Sequence, residues 1–126
     1  MTDAQQCAGA IACAFDRFHA QFRAVTRRAA QRFAERDWHG MQRDAVERLD
    51  IREQVVRSAV AEIRELLGQR VQDKCIWQEI KSAYVPLVVD RLDRELAETF
   101  FNSVTRRIFT TVGVDPVIEF LDHPAS

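Results

Sequence analysis

Glycine, proline, cysteine and lysine are all scarce in this chain of 126 residues. The four glycines, Gly9, Gly40, Gly68 and Gly113, stand far apart, so no glycine-rich loop can cradle a phosphate. The three prolines leave most of the chain without a helix breaker. Cys7, Cys13 and Cys75 are odd in number, and no two have metal-ligand or redox-motif spacing. They read as free thiols in a reducing cytoplasm. Lys74 and Lys81 are the only lysines among 18 basic residues, set against 19 acidic ones. That balance excludes a global attraction to nucleic acid or to an anionic membrane. No uncharged stretch reaches the ~20 residues a membrane span needs. The apolar run from Cys7 to Phe15 is short and has no basic residue before it, unlike a signal peptide. The one β-like run, Val112 to Val117, is weakened by Pro116.

What is present is helical periodicity. Residues 3 to 36 read as one helix, with Ile11, Phe15, Phe18, Phe22, Val25, Ala29 and Phe33 on a single stripe. Thr2 and Gln5 fit a capping box. At ~1.5 Å per residue this helix would be roughly 50 Å long. Asp37 fits the N-cap of a second helix that runs to Leu67, and Gly68 fits its terminator. Its stripe is Met41, Ala45, Leu49, Val56, Val60, Ile63 and Leu67, with i,i+4 pairs Arg43–Glu47, Asp44–Arg48 and Glu53–Arg57 on the polar face. Asp73 caps a third helix carrying Ile76, Trp77, Ile80 and Tyr84, which Pro86 ends or kinks. After a polar link at residues 90–93, Asp93 caps a fourth, with Leu96, Phe100, Val104 and Ile108 on one face. Asp115 and Pro116 look like the start of another element. The expected fold class is all-α: two long antiparallel amphipathic helices packed with two shorter ones.

Candidate chemistry is thin. Asp16 with His19, and Glu35 with His39, have spacings a metal could use. No Glu-x-x-His motif accompanies them, so the second helix offers no di-iron set. Trp38 is expected to pack over the junction of the two long helices, with His39 in the first turn of the second. The basic run Arg23, Arg27, Arg28, Arg32 and Arg36 could meet a phosphate or an acidic partner. The plainer expectation is a solvated helix face paired with acids of the second helix, and Arg28 is expected on the exposed side. No His-Arg-Asp, Asp-Phe-Gly or phosphate loop occurs, so no ATP-handling device is legible. No catalytic, cofactor-binding or metal residue is assigned.

Three blocks carry a family resemblance. They are the stretch from Ala97 through Phe100-Phe101-Asn102-Ser103 to Arg106-Arg107-Ile108-Phe109, the stretch from Phe33 through Trp38-His39 to Asp50, and the stretch from Phe15 through Phe22-Arg23 to Thr26. In order and approximate spacing they resemble the first part of the helical regulatory domain of bacterial isocitrate dehydrogenase kinase/phosphatase. The resemblance covers residues 10 to 120. It implies that residues 1–126 are an N-terminal portion of that domain, without the kinase-like catalytic domain. The parent phosphorylates and dephosphorylates isocitrate dehydrogenase, directing flux between the citric acid cycle and the glyoxylate bypass. Mg²⁺ and ATP as cofactors, AMP as an effector and a cytoplasmic location are implied for the full-length family. For this chain alone the expectation is no catalysis. The alternative reading is a stand-alone helical protein–protein interaction module.

Adjacent residues on a helix point about 100° apart. The doublet Phe100-Phe101 therefore needs two buried surfaces. One ring is expected in the four-helix core, and the other against the rest of the regulatory domain or the kinase-like domain. Phe100, Phe101, Asn102, Arg106 and Arg107 form the candidate interdomain contact. The apolar cluster Val114, Val117, Ile118, Phe120 and Leu121 is expected to be covered by later sequence, and otherwise to favour self-association or disorder beyond Asp115.

Overall fold

The computed structural model describes residues 1–91 and 93–111, and among them every regular element is helical. Helix α1 spans Asp3–Ala34. Its first turn carries the full capping box, with Thr2 Oγ1 accepting from the Gln5 N–H at 3.1 Å and Gln5 Oε1 from the Thr2 N–H at 2.9 Å. It stops two residues before the expected end. Arg36 adopts a left-handed φ of 57°, the Asp37 N–H donates to Arg32 O at 2.8 Å, and the Arg36 N–H donates to Phe33 O at 3.1 Å. Those two bonds are a Schellman ending, a role glycine usually fills. The sequence hides this stop because an arginine occupies the glycine position.

Helix α2 spans Trp38–Leu67, with the Asp37 carboxylate accepting the Gly40 N–H at 2.9 Å. Gly68, at φ 57°, ends it and leads into a 3₁₀ turn, Gly68–Gln72. The periodicity gives no sign of that turn. Helix α3 spans Lys74–Val88, capped by Asp73 on the Cys75 N–H at 2.8 Å. Pro86 does not end it. It sits in the last turn on the exposed side, and the helix runs two residues further. Helix α4 spans Arg94–Thr111. The expected start at Asp115–Pro116, the cluster from Val114 to Leu121 and the β-like run lie outside the described residues.

The connections and cross-contacts give an up-down-up-down bundle. Arg28 meets Asp44, and Asp3 meets Arg70, so α1 and α2 are antiparallel. Tyr84 OH donates to Ala97 O at 2.8 Å while Trp77 packs on Phe109, so α3 and α4 are antiparallel too. The core uses small residues on α1, Ala4, Ala8, Ala12 and Ala14, which let the neighbouring helices approach closely. Large groups from α3 and α4 fill the rest, with Trp77 Nε1 donating to Val71 O at 2.8 Å. Burial in this core pushes the Cys7 thiol up to about 11, with the Asp3 carboxylate adding to it, so the thiol stays protonated.

This core stops short of the α1–α2 connection. It takes α1 from Ala4 to Phe18 and α2 from Val55 onward. Beyond it the two long helices continue as a paired arm, in which Val25, Ala29, Gly40 and Asp44 are buried outside the main core. The expected stripes fail along the arm. Phe33 is 62% exposed and Leu49 66% exposed, and Ala45 is exposed as well. The physical reason is that, among the described residues, no third helix packs over these positions, and a two-helix pair cannot cover a full apolar face.

Candidate functional site

The arm leaves the body where α4 begins to lie along α2, and a hollow of about 410 Å³ opens between α1, α2 and α4. Its floor is the ring cluster Phe18, Phe22 and Phe100, with Leu49 and Leu96 at the sides. Phe100 packs on Phe15 at 5.9 Å and on Phe18 at 5.7 Å between ring centroids, which fixes the floor to the core. The charged residues lining this hollow are Arg48 and Arg52, four apart on α2. Arg48 lies over the Phe22 ring, 5.9 Å from its centroid. Arg52 Nη2 donates to Ser103 Oγ at 2.7 Å, and Ser103 Oγ donates in turn to Thr99 O at 3.1 Å. Among the described residues neither guanidinium has a carboxylate at ion-pair distance.

The seam between α2 and α4 continues as a second hollow of about 590 Å³, sharing Leu49, Arg52 and Ser103 with the first. Here Glu53 bridges Arg107 of α4 and Arg57 of its own helix. The hydrogen bond from Arg107 holds the Glu53 carboxyl below its ordinary range, with Arg57 adding to it.

The residues singled out from the sequence fall in several places. Both rings of the Phe100-Phe101 doublet are buried within this chain, which corrects the expectation that one of them faces a second body. Helix α4 is covered on two sides: Phe100 meets Phe15 and Phe18, while Phe101 meets Tyr84 at 5.1 Å and Trp77 at 6.1 Å. Asn102 is buried with them. Arg106 and Arg107 do reach the surface seam. The basic run of α1 splits. Arg28 and Arg32 turn to the buried Asp44, at 3.0 Å and 2.9 Å, and Arg32 also meets Asp37 at 2.9 Å. Arg23 and Arg27 line a separate hollow with His19 and Asp93. Asp44 therefore serves α1 across the arm, not Arg48 as its sequence spacing suggested.

Asp16 and His19 both turn to the segment between α3 and α4. Asp16 meets Arg91 at 3.0 Å, and His19 Nε2 meets the Asp93 carboxylate. Glu35 accepts from Gln31 Nε2 at 3.1 Å, His39 is exposed, and Trp38, 55% exposed, packs edge-on against Phe33. Among the described residues no group of three or more His, Cys, Asp or Glu side chains could hold a metal ion. Arg48 and Arg52 were missed in the sequence. Their i,i+4 spacing beside Leu49 was the available signal.

The fold and its surface define a helical bundle with a projecting two-helix arm and an arginine-edged apolar groove. The family model described as isocitrate dehydrogenase kinase/phosphatase (AceK), regulatory domain, matches residues 8–126, and the chain belongs to this family. It is 50% identical over 118 residues to the isocitrate dehydrogenase kinase/phosphatase of Anaeromyxobacter dehalogenans (strain 2CP-C), covering 94% of this chain and 20% of that relative. The protein of the same name from Anaeromyxobacter sp. (strain Fw109-5) is 48% identical over 120 residues, covering 94% and 21%. That of Xanthomonas campestris pv. campestris (strain 8004) is 40% identical over 108 residues, covering 86% and 19%. The chain spans about a fifth of the length of the curated relatives it matches.

Proposed function

We propose that this chain serves as part of the regulatory domain of a bifunctional enzyme that phosphorylates isocitrate dehydrogenase and removes that phosphate, setting flux between the citric acid cycle and the glyoxylate bypass. The observation that carries this reading is the family match over residues 8–126, joined to the names of relatives at 40–50% identity. Catalysis with Mg²⁺ and ATP would belong to the kinase-like part of such an enzyme, and AMP would act on the whole as an effector. The helices would act by contact. The exposed Phe33, Trp38 and Val46 on the arm, together with the α2–α4 seam carrying Arg106 and Arg107, are the surfaces offered to the rest of the domain and to the kinase-like domain. Among the described residues no helix is long and apolar enough to cross a membrane. Three free thiols agree with a cytoplasmic setting.

A chimaera tests the proposal. This chain replaces the matching stretch of the Anaeromyxobacter dehalogenans protein, and phosphate transfer from labelled ATP to purified isocitrate dehydrogenase is followed, as is its removal. Retention of both activities in the chimaera, with none in this chain alone, is expected. A folded chimaera lacking both activities would overturn the assignment. The isolated chain is also expected to self-associate through the arm, seen as a concentration-dependent rise in sedimentation coefficient. Loss of that rise in a Phe33→Ser, Trp38→Ser variant is the supporting result, and an unchanged rise would remove the arm from this role.

A further inference from the structure

We infer that the hollow between α1, α2 and α4 is a binding site for a small amphiphilic carboxylate, a molecule with an apolar chain or ring and one carboxylate group. Three features of the site carry this.

The first is shape and chemistry. At about 410 Å³ the hollow falls within the roughly 300–1,000 Å³ of small-ligand sites. Phe18, Phe22, Phe100 and Leu49 supply an apolar floor and wall, and Arg48 and Arg52 supply charge of one sign.

The second is how the arginines are held. Arg48 rests on the Phe22 ring face, and Arg52 donates to the Ser103 hydroxyl. Both contacts fix a guanidinium in place, and neither cancels its charge. Ion pairs elsewhere on the arm show the contrast: Arg28 and Arg32 each reach the Asp44 carboxylate. Two like charges four residues apart on a helix repel one another. An anion seated between them relieves that repulsion and receives charge-assisted hydrogen bonds from pre-positioned donors.

The third is the pairing of the two. A purely apolar ligand would leave the arginines unanswered, and a small hydrophilic anion would leave the exposed Leu49 and the half-buried Phe22 uncovered. A carboxylate with an apolar tail satisfies both. The tail lies over Phe22 and Leu49, and the carboxylate sits at the rim beside Arg48 and Arg52. The ligand is a free small molecule, because the hollow accommodates one ligand of that size.

The test is an NMR titration of the isolated chain with decanoate below its micelle concentration, with decanol and glutarate in parallel. Decanoate is expected to give saturable shifts at Leu49, Leu96, Thr99 and Ser103, and the other two to bind at least about tenfold more weakly. Arg48→Gln and Arg52→Gln should each weaken decanoate roughly tenfold while leaving weak decanol binding unchanged. Leu49→Glu, at an exposed wall position, should block all three ligands without unfolding the chain, checked by its thermal midpoint. Equal binding of decanol and decanoate, indifference to both Arg→Gln changes, or shifts scattered away from the groove would each overturn the assignment. This experiment uses the chain alone, so it is independent of whether the chimaera is active.

Discussion

Asp44 on α2 is 1% exposed, and Arg28 on α1 reaches it across the arm, with Nε 3.0 Å from Oδ1. Arg32 closes on the other carboxylate oxygen at 2.9 Å. The arm has few large apolar contacts between its helices, so this buried carboxylate and its two guanidiniums set the pairing of α1 with α2 there. Asp44→Asn keeps the volume and leaves two arginines without their counter-charge. It should cost about 2 kcal/mol, less than a fully enclosed pair because both arginines are partly solvated. Arg28→Ala should lower the denaturation midpoint rather than be neutral, and in an Asp44→Asn background it should do so much less. Urea melts of the two single variants and the double variant check this coupling.

The arm also shows where the sequence was legible. The four helices, both long-helix caps and the terminator Gly68 follow from local signals, and the structure has them at or within two residues of the expected places. Local signals do not reveal how many neighbours a helix has. Phe33, Ala45 and Leu49 keep perfect helical spacing and lie on a surface that no third helix covers among the described residues. The partner of Asp44 was read as Arg48 because i,i+4 is visible in a sequence, whereas the register of α1 against α2 is not. The groove was illegible for the same reason. It depends on α4 crossing the point where the arm departs, and its arginines are ordinary helix-surface residues until Phe22 and Ser103 come under them.

Arg36 carries a left-handed backbone, φ 57°, at the end of α1. A non-glycine residue there costs roughly 1–2 kcal/mol, partly offset because glycine gains more freedom when unfolded. Arg36→Gly should therefore stabilise the chain by about 0.5–1 kcal/mol, read as a higher thermal midpoint. Arg36→Val, β-branched and least tolerant of that conformation, should do the reverse.

Gly40 meets a different demand. It is buried at the start of α2, and an added Cβ would run into Asp37 Oδ2 and the Arg32 side chain, with Arg32 Cδ at 2.7 Å. Asp37 is then displaced from the very N–H it caps. Gly40→Ala should cost about 1 kcal/mol through the lost cap, despite alanine's better helix propensity. A neutral or stabilising result in thermal melts would show that Asp37 and Arg32 move aside freely.

Phe101 of α4 and Phe22 of α1 make a direct comparison between the core and the groove. Phe101 is fully buried against Tyr84 and Trp77, whereas Phe22 is half-buried at the groove. Phe101→Ala should cost about 3–5 kcal/mol. Phe22→Ala should cost about 1–2 kcal/mol, since part of its surface is already wet. Equal losses in denaturant melts would mean that the groove floor is as deeply packed as the core.

The last expectation concerns acid. Glu53 is held below its ordinary range chiefly by the hydrogen bond from Arg107, and Asp37 chiefly by the Gly40 N–H, with Arg32 next. For a carboxyl whose folded value is depressed, the folded state prefers the ionised form more strongly than the unfolded chain does. Its stabilisation is complete above the unfolded value and disappears as pH falls through the folded one. Both groups should thus help hold the chain at neutral pH and stop doing so in acid, from below about pH 4.5 downward. Glu53 joins α2 to α4, and Asp37 joins the two helices of the arm, so acid should loosen both places. Urea midpoints of the wild type, Glu53→Gln and Asp37→Asn measured from pH 7 down to about pH 3 isolate the effect. The variants should be less stable than the wild type at neutral pH, and the gap should close as pH falls. For Glu53, an exposed pair, the gap at pH 7 should also shrink in added salt. A gap that stays constant with pH would show that these carboxyls act through shape or hydrogen bonding alone, with no contribution from their charge.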